Sequence, residues 1–412
     1  MKTTIDIRKI WTLTLVFYII CSTAFSYGDL KILNSVALYI FLAVSVFNIL
    51  HSGKLRLDLA AGSLIAYAVI LLVGMLYTPA SSSAVYGVMY NYITMMVLAV
   101  CIIQYVRSVK DVETIMFAYM LAGLTMAIYV YSLYGSEFWD VMKEAADSEL
   151  GGVDRLGGDL TNENTISLCT AISALIALYN LMYARTSKVK TILCVGIMAF
   201  CFVVSMAAAS KKSLILIFAC IIGIWLYSTV GNKGFLKKVR NLLILGGSVV
   251  GLLYMINNIP LFSGISARFE SLFSFLEGGS GTVSEEHRYS LISEGLAIFL
   301  KNPILGAGSN SSVFYFSGAY SHSNFVEILM NTGVIGFVVF YGVYVTSTCK
   351  YLAYARSYKQ TNKVSVLLFS LLLGVTVCGF AMVYYYERYY MLLMTVVFAA
   401  THVFDRERSI AS

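Results

Sequence analysis

Apolar residues run through this chain in long stretches that short polar segments separate. Each stretch is close to the roughly 20 residues that a helix needs to cross the hydrocarbon core of a bilayer. The stretches cover residues 11–27, 32–50, 59–78, 85–106, 112–134, 165–184, 190–208, 213–230, 242–257, 325–349, 364–384 and 389–404. Because barrel strands would instead alternate with a period of two, the pattern predicts an all-α polytopic membrane protein of about twelve transmembrane helices.

Basic residues fall mainly on one side of these predicted spans. Of the 29 Lys and Arg residues, 20 lie at the chain ends or in every second connection. They are Lys2, Arg8, Lys9, Lys54, Arg56, Arg107, Lys110, Arg185, Lys188, Lys190, Lys233, Lys237, Lys238, Arg240, Lys350, Arg356, Lys359, Lys363, Arg406 and Arg408. The positive-inside rule makes that side cytoplasmic and places both termini inside.

The opposite side then receives two long segments. Residues 135–164 form an acidic extracytoplasmic loop, and residues 258–324 form a second loop between spans nine and ten. Within the second loop, residues 284–300 have helical apolar spacing and end before Asn302-Pro303, which predicts a structured helix. Long loops in a compact fold are often functional, so we place the functional loop at 258–324 and treat residues 1–412 as a single transmembrane bundle.

Composition agrees with this interpretation. The chain is 59% hydrophobic and 12% charged, with a mean hydropathy of +0.78, whereas soluble domains carry about 25% charged residues. The eight cysteines lie in or beside apolar stretches without metal-ligand spacing, which predicts neither a metal site nor a cofactor. The net charge of +7 follows the cytoplasmic connections, so membrane lipid, and no nucleic acid, is the expected partner of these charges.

Nine basic residues remain for the outer side. They are Lys31, Lys143, Arg155, Lys211, Lys212, Arg268, Arg288, Lys301 and Arg388. Lys211 and Lys212 separate two apolar stretches and have almost no polar neighbours, a costly position for a cation unless it meets water or an anion. Two interpretations stay open, because such side chains either extend to the lipid headgroups or bind an anionic substrate.

Several short motifs follow one another between Arg288 and Gly336. Arg288 lies in the predicted loop helix, and Asn302-Pro303-Ile-Leu-Gly306-Ala-Gly308 follows the end of that helix. Ser321-His322-Ser-Asn324 with Glu327, and Gly333-Val-Ile-Gly336, come next. In their order and spacing these pieces resemble the family of O-antigen ligases and Wzy-type O-antigen polymerases.

Two upstream segments are similar to the same family. Arg155-Leu-Gly-Gly158, with Asn162 and Asn164, precedes the sixth span. Ser210-Lys-Lys-Ser213 stands where relatives often have Ser-Arg, and lysine lacks the two-pronged fork of a guanidinium. The rest of the chain is similar to the family only in its pattern of spans.

The resemblance implies a glycosyltransferase at the outer face of the bacterial cytoplasmic membrane. The donor would be an oligosaccharide on undecaprenyl diphosphate, and the acceptor hydroxyl would lie on another glycan. The resemblance further implies that the reaction inverts the anomeric centre and needs no divalent metal. It also implies a chain-length regulator as a partner. The primary hypothesis is a polymerase for an O-antigen, capsule or exopolysaccharide.

The chemistry assigns roles to charged residues of the outer side. A departing diphosphate needs its charge neutralised by a metal or by fixed cations, and the chain contains no D-x-D motif. The guanidinium of arginine can donate two parallel hydrogen bonds to phosphate oxygens, and lysine supplies a positive charge. The candidate diphosphate ligands are Arg288, Arg268, Lys211, Lys212, Arg155 and Asn324. His322 is either a general base or a diphosphate ligand, and Glu327 either orients His322 or completes a buried polar network.

Two other functions compete with polymerisation. A ligase would transfer the same lipid-linked glycan to lipid A core or to protein, with the same chemistry and a different acceptor. A lipid-linked oligosaccharide flippase would also suit twelve spans with both termini inside. The few charges within the spans and the long loops on one side favour an enzyme.

Overall fold

The structure, a computed structural model, describes residues 6–26, 28, 30–141, 156, 162–183, 187–231, 234–259, 266, 270, 283–357 and 363–411. Within these ranges the backbone is helical or irregular and contains no strand. The prediction of an all-helical fold is therefore confirmed.

Fourteen α-helices lie within the described ranges. In chain order they are α1 (Ile7–Ala24), α2 (Lys31–Ser52), α3 (Leu59–Gly74), α4 (Ser82–Tyr105), α5 (Val109–Tyr134), α6 (Glu163–Tyr183), α7 (Lys188–Ala207), α8 (Lys211–Gly231), α9 (Phe235–Asn258), α10 (Val283–Lys301), α11 (Ser312–Tyr315), α12 (Asn324–Ser357), α13 (Lys363–Cys378) and α14 (Arg388–Ala411).

Nine of the described helices are long and apolar enough to cross a membrane, namely α1, α2, α4 to α9 and α12. Helices α3 and α13 are apolar but shorter. Each predicted span overlaps one helix, and α10 covers the predicted loop helix. These features are those of a polytopic membrane protein, while the count of twelve spans and their orientation stay predictions.

Several predicted boundaries are wrong. The span expected at 364–384 ends at Cys378, and the span expected at 59–78 ends at Gly74. The loop expected from residue 135 begins later, because helical backbone continues to Val141. In the first two cases, a backbone N–H group from a distant part of the sequence donates to a carbonyl at or just after the end of the helix. Ser309 N–H donates to the Gly74 carbonyl at 3.2 Å, and Asn324 N–H donates to the Gly379 carbonyl at 2.7 Å.

Contacts divide the chain into two compact units, and each is described by itself. The first unit comprises residues 1–54, 110–277 and 355–370, and the second comprises residues 55–109, 278–354 and 371–412. The single bundle proposed for residues 1–412 stays a prediction.

In the first unit, α6 is the most buried of the long apolar helices. Small serine side chains on α6 allow neighbouring helices to approach closely, because each serine hydroxyl donates a hydrogen bond to a nearby backbone carbonyl. Ser173 Oγ donates to the Met120 carbonyl at 2.6 Å, and Ser167 Oγ donates to the Ser205 carbonyl at 2.8 Å. These bonds fix α6 against α5 and α7.

The second unit is built around a break in α12. Gly333 has φ 64° and ψ −166°, a conformation that is essentially confined to glycine. At this break, the N–H groups of Val334 and Ile335 donate to the carbonyls of Pro303 and Ile304, at 2.9 and 3.3 Å. Segment 303–308 thus supplies hydrogen bonds that a continuous helix would make internally.

Segment 303–308 also bonds the part of α12 that precedes the break. Ala307 N–H donates to the Met330 carbonyl at 2.7 Å, and Gly308 N–H donates to the Asn331 carbonyl at 3.1 Å. The glycines at Gly306, Gly308 and Gly333 therefore have a structural role. They allow a loop to lie directly against a broken helix.

Within each unit, residues predicted to share a membrane face contact each other. On the predicted cytoplasmic side, Arg8 pairs with Asp111 at 2.6 Å in the first unit, and Lys350 pairs with Asp405 at 2.7 Å in the second. On the predicted outer side of the second unit, Thr78 Oγ1 donates to the Ser309 carbonyl at 2.8 Å. These contacts are consistent with the proposed alternation of sides.

The break in α12 generates a stability prediction. Replacing Gly333 by alanine would force a side chain into a glycine-only conformation and into the carbonyl of Ile304. We expect a loss of at least about 2 kcal/mol in the free energy of unfolding, measured by denaturant titration in detergent micelles.

Gly342→Ala is the matched control, since Gly342 lies in the same helix and has open space around its Cβ position. This change should alter the free energy of unfolding by less than about 1 kcal/mol. Equal stability of the two variants would contradict the role given to the break.

Candidate functional site

His322 lies in the turn that leads into α12. Its φ is 58°, the left-handed region that side chains other than glycine seldom adopt. The neighbours Ser321 and Ser323 are buried, and Ser321 Oγ donates to the Ser323 carbonyl at 2.9 Å. The turn therefore holds a half-buried imidazole in a strained backbone position, which is a common property of functional residues.

Glu327 is the anchor of this turn. Its side chain is 1% exposed and accepts hydrogen bonds from the Ser321 backbone N–H at 2.9 Å and from Asn331 Nδ2 at 3.1 Å. Ser312 Oγ also donates to it. These bonds join α11, α12 and the His322 turn through one carboxylate. The contacts are those of the buried polar network considered from sequence, and a direct effect on His322 stays a prediction.

Asn324 connects the same turn to the irregular segment 379–387. Its Oδ1 accepts the backbone N–H groups of Tyr384 and Tyr385 at 2.9 and 3.0 Å, and its Nδ2 donates to the Tyr341 hydroxyl at 2.7 Å. The side chain is 0% exposed. Because both amide atoms bond within the protein, Asn324 organises the site from beneath, and direct binding of diphosphate by its amide stays a prediction.

Tyr320 is the residue around which the charged candidates of the second unit assemble. Its ring centroid lies 4.3 Å from that of His322, and its side chain is 38% exposed. Burial raises the pKa of Tyr320, and the positive charge of Arg288 offsets part of that rise. Arg288 is thus close enough to Tyr320 to act on it electrostatically, and Tyr320 in turn contacts His322.

Helix α10 places Arg288 by packing against the fold through residues one and two turns further along the same face. Leu291 is buried with Phe316 and Met330, and a side chain added at Gly295 would lie 2.6 Å from Val326 Cγ1. Arg288 itself remains exposed. The helix therefore presents a solvated guanidinium from a packed support, a suitable arrangement for an anionic ligand.

Glu387 completes the charged group around Tyr320. It immediately precedes α14, and its carbonyl accepts the Met391 N–H at 3.1 Å. Its negative charge contributes to raising the pKa of both Tyr320 and Tyr386. Burial raises the pKa of Glu387 itself, although the adjacent Arg388 lowers it in part.

The side chain of Glu387 nevertheless keeps accessible surface. A ligand in solvent can therefore reach this carboxylate.

Lys211 and Lys212 lie in the first unit, at the start of α8. The side chain of Lys212 is 8% exposed, and Ser210 Oγ, just before the helix, donates to Asn164 Oδ1 at 2.7 Å. Two cations at a helix N-terminus oppose the helix dipole, and a bound anion would offset that cost. Their part in diphosphate binding stays a prediction, and Arg155 and Arg268 lie outside the described residues.

The structure thus brings together Arg288, His322, Asn324 and Glu327 within the second unit. Sequence reasoning missed Tyr320 and Glu387. A signal for Glu387 was present, because Glu387-Arg388 interrupts an otherwise apolar and aromatic stretch between two predicted spans.

Among the described residues, no group of three His, Cys, Asp or Glu side chains is arranged to hold a metal ion. The expectation of metal-independent chemistry stays a prediction.

No protein-family model matches this chain, and no curated protein matches it. The resemblance to O-antigen ligases and polymerases therefore rests on the motifs quoted from the sequence.

The Asn324 network generates a second prediction. Asn324→Ala removes the acceptor for the Tyr384 and Tyr385 N–H groups and leaves them buried without a partner, which costs roughly 1–3 kcal/mol per group. We expect faster hydrogen exchange at these two amides, measured by mass spectrometry in micelles.

Tyr341→Phe serves as the control, because it removes the hydroxyl that the Asn324 amide nitrogen donates to and leaves Asn324 Oδ1, the acceptor for both backbone amides, in place. The Tyr384 and Tyr385 amides should remain as protected as in the unaltered protein. If Asn324→Ala also left them protected, Asn324 would not be what holds segment 379–387.

Proposed function

We propose that the chain is a glycosyltransferase of the bacterial cytoplasmic membrane. It joins oligosaccharide repeat units carried on undecaprenyl diphosphate at the outer face and so extends a polysaccharide. The observation that carries the proposal is the group of Arg288, Tyr320 and His322, in which the imidazole lies 4.3 Å from the Tyr320 ring between centroids and the charge of a solvated guanidinium lowers the pKa of the same tyrosine. The motif resemblance supports the same reaction class.

Arg288 has the role of neutralising the leaving group. When the bond between the anomeric carbon and the phosphate oxygen breaks, the electron pair remains on the diphosphate. A guanidinium stabilises that charge through two parallel N–H bonds to phosphate oxygens. Because Arg288 extends from a packed helix, its charge is in place before the reaction begins.

His322 lies beside Tyr320, with ring centroids 4.3 Å apart. A neutral imidazole there would accept the proton of the acceptor hydroxyl, whereas an imidazolium would add a second positive charge to the diphosphate site. Tyr320 offers a partly exposed aromatic face of the kind on which sugar rings stack. Glu327 and Asn324 act from below by fixing the turn and segment 379–387.

Lys211, Lys212, Arg155 and Arg268 belong to the proposal as further diphosphate ligands, on the evidence of sequence alone. A ligase would use the same donor and the same Arg288 chemistry. The acceptor that is extended in the assay separates polymerase from ligase.

The proposal predicts the effect of removing the Arg288 charge. Purified protein in micelles, given a defined polyprenyl-diphosphate oligosaccharide and a metal chelator, should form long glycans. Arg288→Ala should lower the rate by about 10² to 10³ fold, the range for the loss of one preorganised donor of charge stabilisation, while Arg288→Lys retains more activity. Product length is read by gel electrophoresis.

Lys301→Ala is the matched control, since Lys301 is an exposed cation at the other end of α10. It should stay within twofold of the unaltered protein. Single transfer to lipid A core or protein without elongation would favour the ligase. Translocation of the lipid-linked unit without any glycosyl transfer would favour the flippase and refute the enzyme.

A further inference from the structure

The second unit contains two carboxylates near Tyr320, and they differ in access. Glu327 is 1% exposed and accepts three hydrogen bonds from protein groups. A proton could reach it from a substrate only if this network opened. Glu387 keeps accessible surface at the edge of the same cluster. Of the two, only Glu387 is placed to meet a substrate hydroxyl directly.

Glu387 also shares its surroundings with the other candidate groups. Its charge and that of Arg288 act on the same Tyr320 hydroxyl with opposite sign, and Tyr320 contacts His322. The N–H of Glu387 donates to the Tyr384 carbonyl at 2.9 Å, and the neighbouring Tyr384 N–H is held by Asn324. The network beneath His322 therefore fixes the backbone that carries this carboxylate.

Transfer with inversion requires a base beside the acceptor and positive charge beside the leaving group. We propose that Glu387 is the catalytic base that accepts the proton of the acceptor hydroxyl, a role that rests on the proposed glycosyltransferase function. Arg288 and His322 then serve the diphosphate side of the same centre.

The step balances without a further reactant. The acceptor O–H bond breaks and its proton passes to a Glu387 carboxylate oxygen, while the acceptor oxygen forms a bond to the anomeric carbon. The bond from that carbon to the phosphate oxygen breaks, and its electron pair leaves with the polyprenyl diphosphate. Glu387 afterwards releases the proton to solvent.

The charged and titratable groups around Glu387 determine the expected pH dependence. Burial raises its pKa, Arg388 lowers it in part, and Tyr320, Tyr386 and Glu327 lie in the same electrostatic neighbourhood. A base must be deprotonated to act, so kcat/KM should rise with pH on the acid side of its profile, at a position determined by the pKa of Glu387. Because its pKa is raised, this acid limb should lie above the range of an ordinary glutamate. Removing the charge of Arg388 should move it higher still.

The test compares Glu387→Gln and Glu387→Ala with Glu294→Gln, which changes an exposed glutamate of α10. With the defined lipid-linked oligosaccharide, both Glu387 variants should lose at least about 10² fold in kcat, the usual contribution of a positioned base. They should still bind the donor with an affinity close to that of the unaltered protein. Glu294→Gln should stay within twofold.

Two further measurements separate a base from a structural residue. Sodium azide attacks without needing deprotonation, so it should restore turnover to Glu387→Ala and yield a glycosyl azide of inverted configuration, while Arg288→Ala should gain nothing. Arg388→Gln should shift the acid limb of kcat/KM to higher pH. Thermal unfolding in micelles shows whether each variant is folded.

The outcomes distinguish this inference from the function on which it rests. If the unaltered protein transfers glycan but Glu387→Gln keeps both its rate and its acid limb, Glu387 is not the base, and the enzyme proposal stands. An active unaltered protein with a folded, inactive Glu387→Ala that azide does not restore also overturns the role. If the unaltered protein transfers no glycan from any lipid diphosphate, both proposals fail together.

Discussion

The hydrogen bonds between segment 303–308 and the broken helix α12 are the interaction on which the second unit depends. A helix interrupted in an apolar setting leaves backbone groups that must find partners within the protein. The carbonyls of Pro303 and Ile304 take up two of these N–H groups, and the N–H groups of Ala307 and Gly308 bond the carbonyls before the break. The loop and the helix therefore stabilise each other's irregular backbone.

Above this junction the polar side chains form a connected layer. Glu327 draws Ser312, Ser321 and Asn331 together, and Asn324 holds the backbone at Tyr384 and Tyr385. The polar atoms of the buried residues in this layer make hydrogen bonds within the protein. The residues left at its surface, His322, Tyr320 and Glu387, are the ones that retain access to a ligand.

The fold class and the helix positions could be predicted from the apolar pattern, because the thickness of a bilayer sets the length of each apolar stretch in the sequence. Boundaries failed at Gly74 and Cys378, where contacts from distant chain segments end a helix whose sequence would continue it. Arg288, His322 and Asn324 could be proposed from sequence because their motifs are local, and their roles stay predictions. Glu387 was missed because its relation to Tyr320 depends on folding across more than sixty residues. Arg155 and Arg268 lie outside the described residues, so their placement remains a matter of sequence.

The short helix α13 has a further consequence for the membrane around it. Sixteen residues rise only about 24 Å, less than the roughly 30 Å of a typical hydrocarbon core. If α13 spans the bilayer as the sequence predicts, one response to such hydrophobic mismatch is local thinning of the bilayer. Thinning draws the headgroup level toward the end of α13. The lipid-linked donor that we propose would then approach segment 379–387 from the leaflet that carries it.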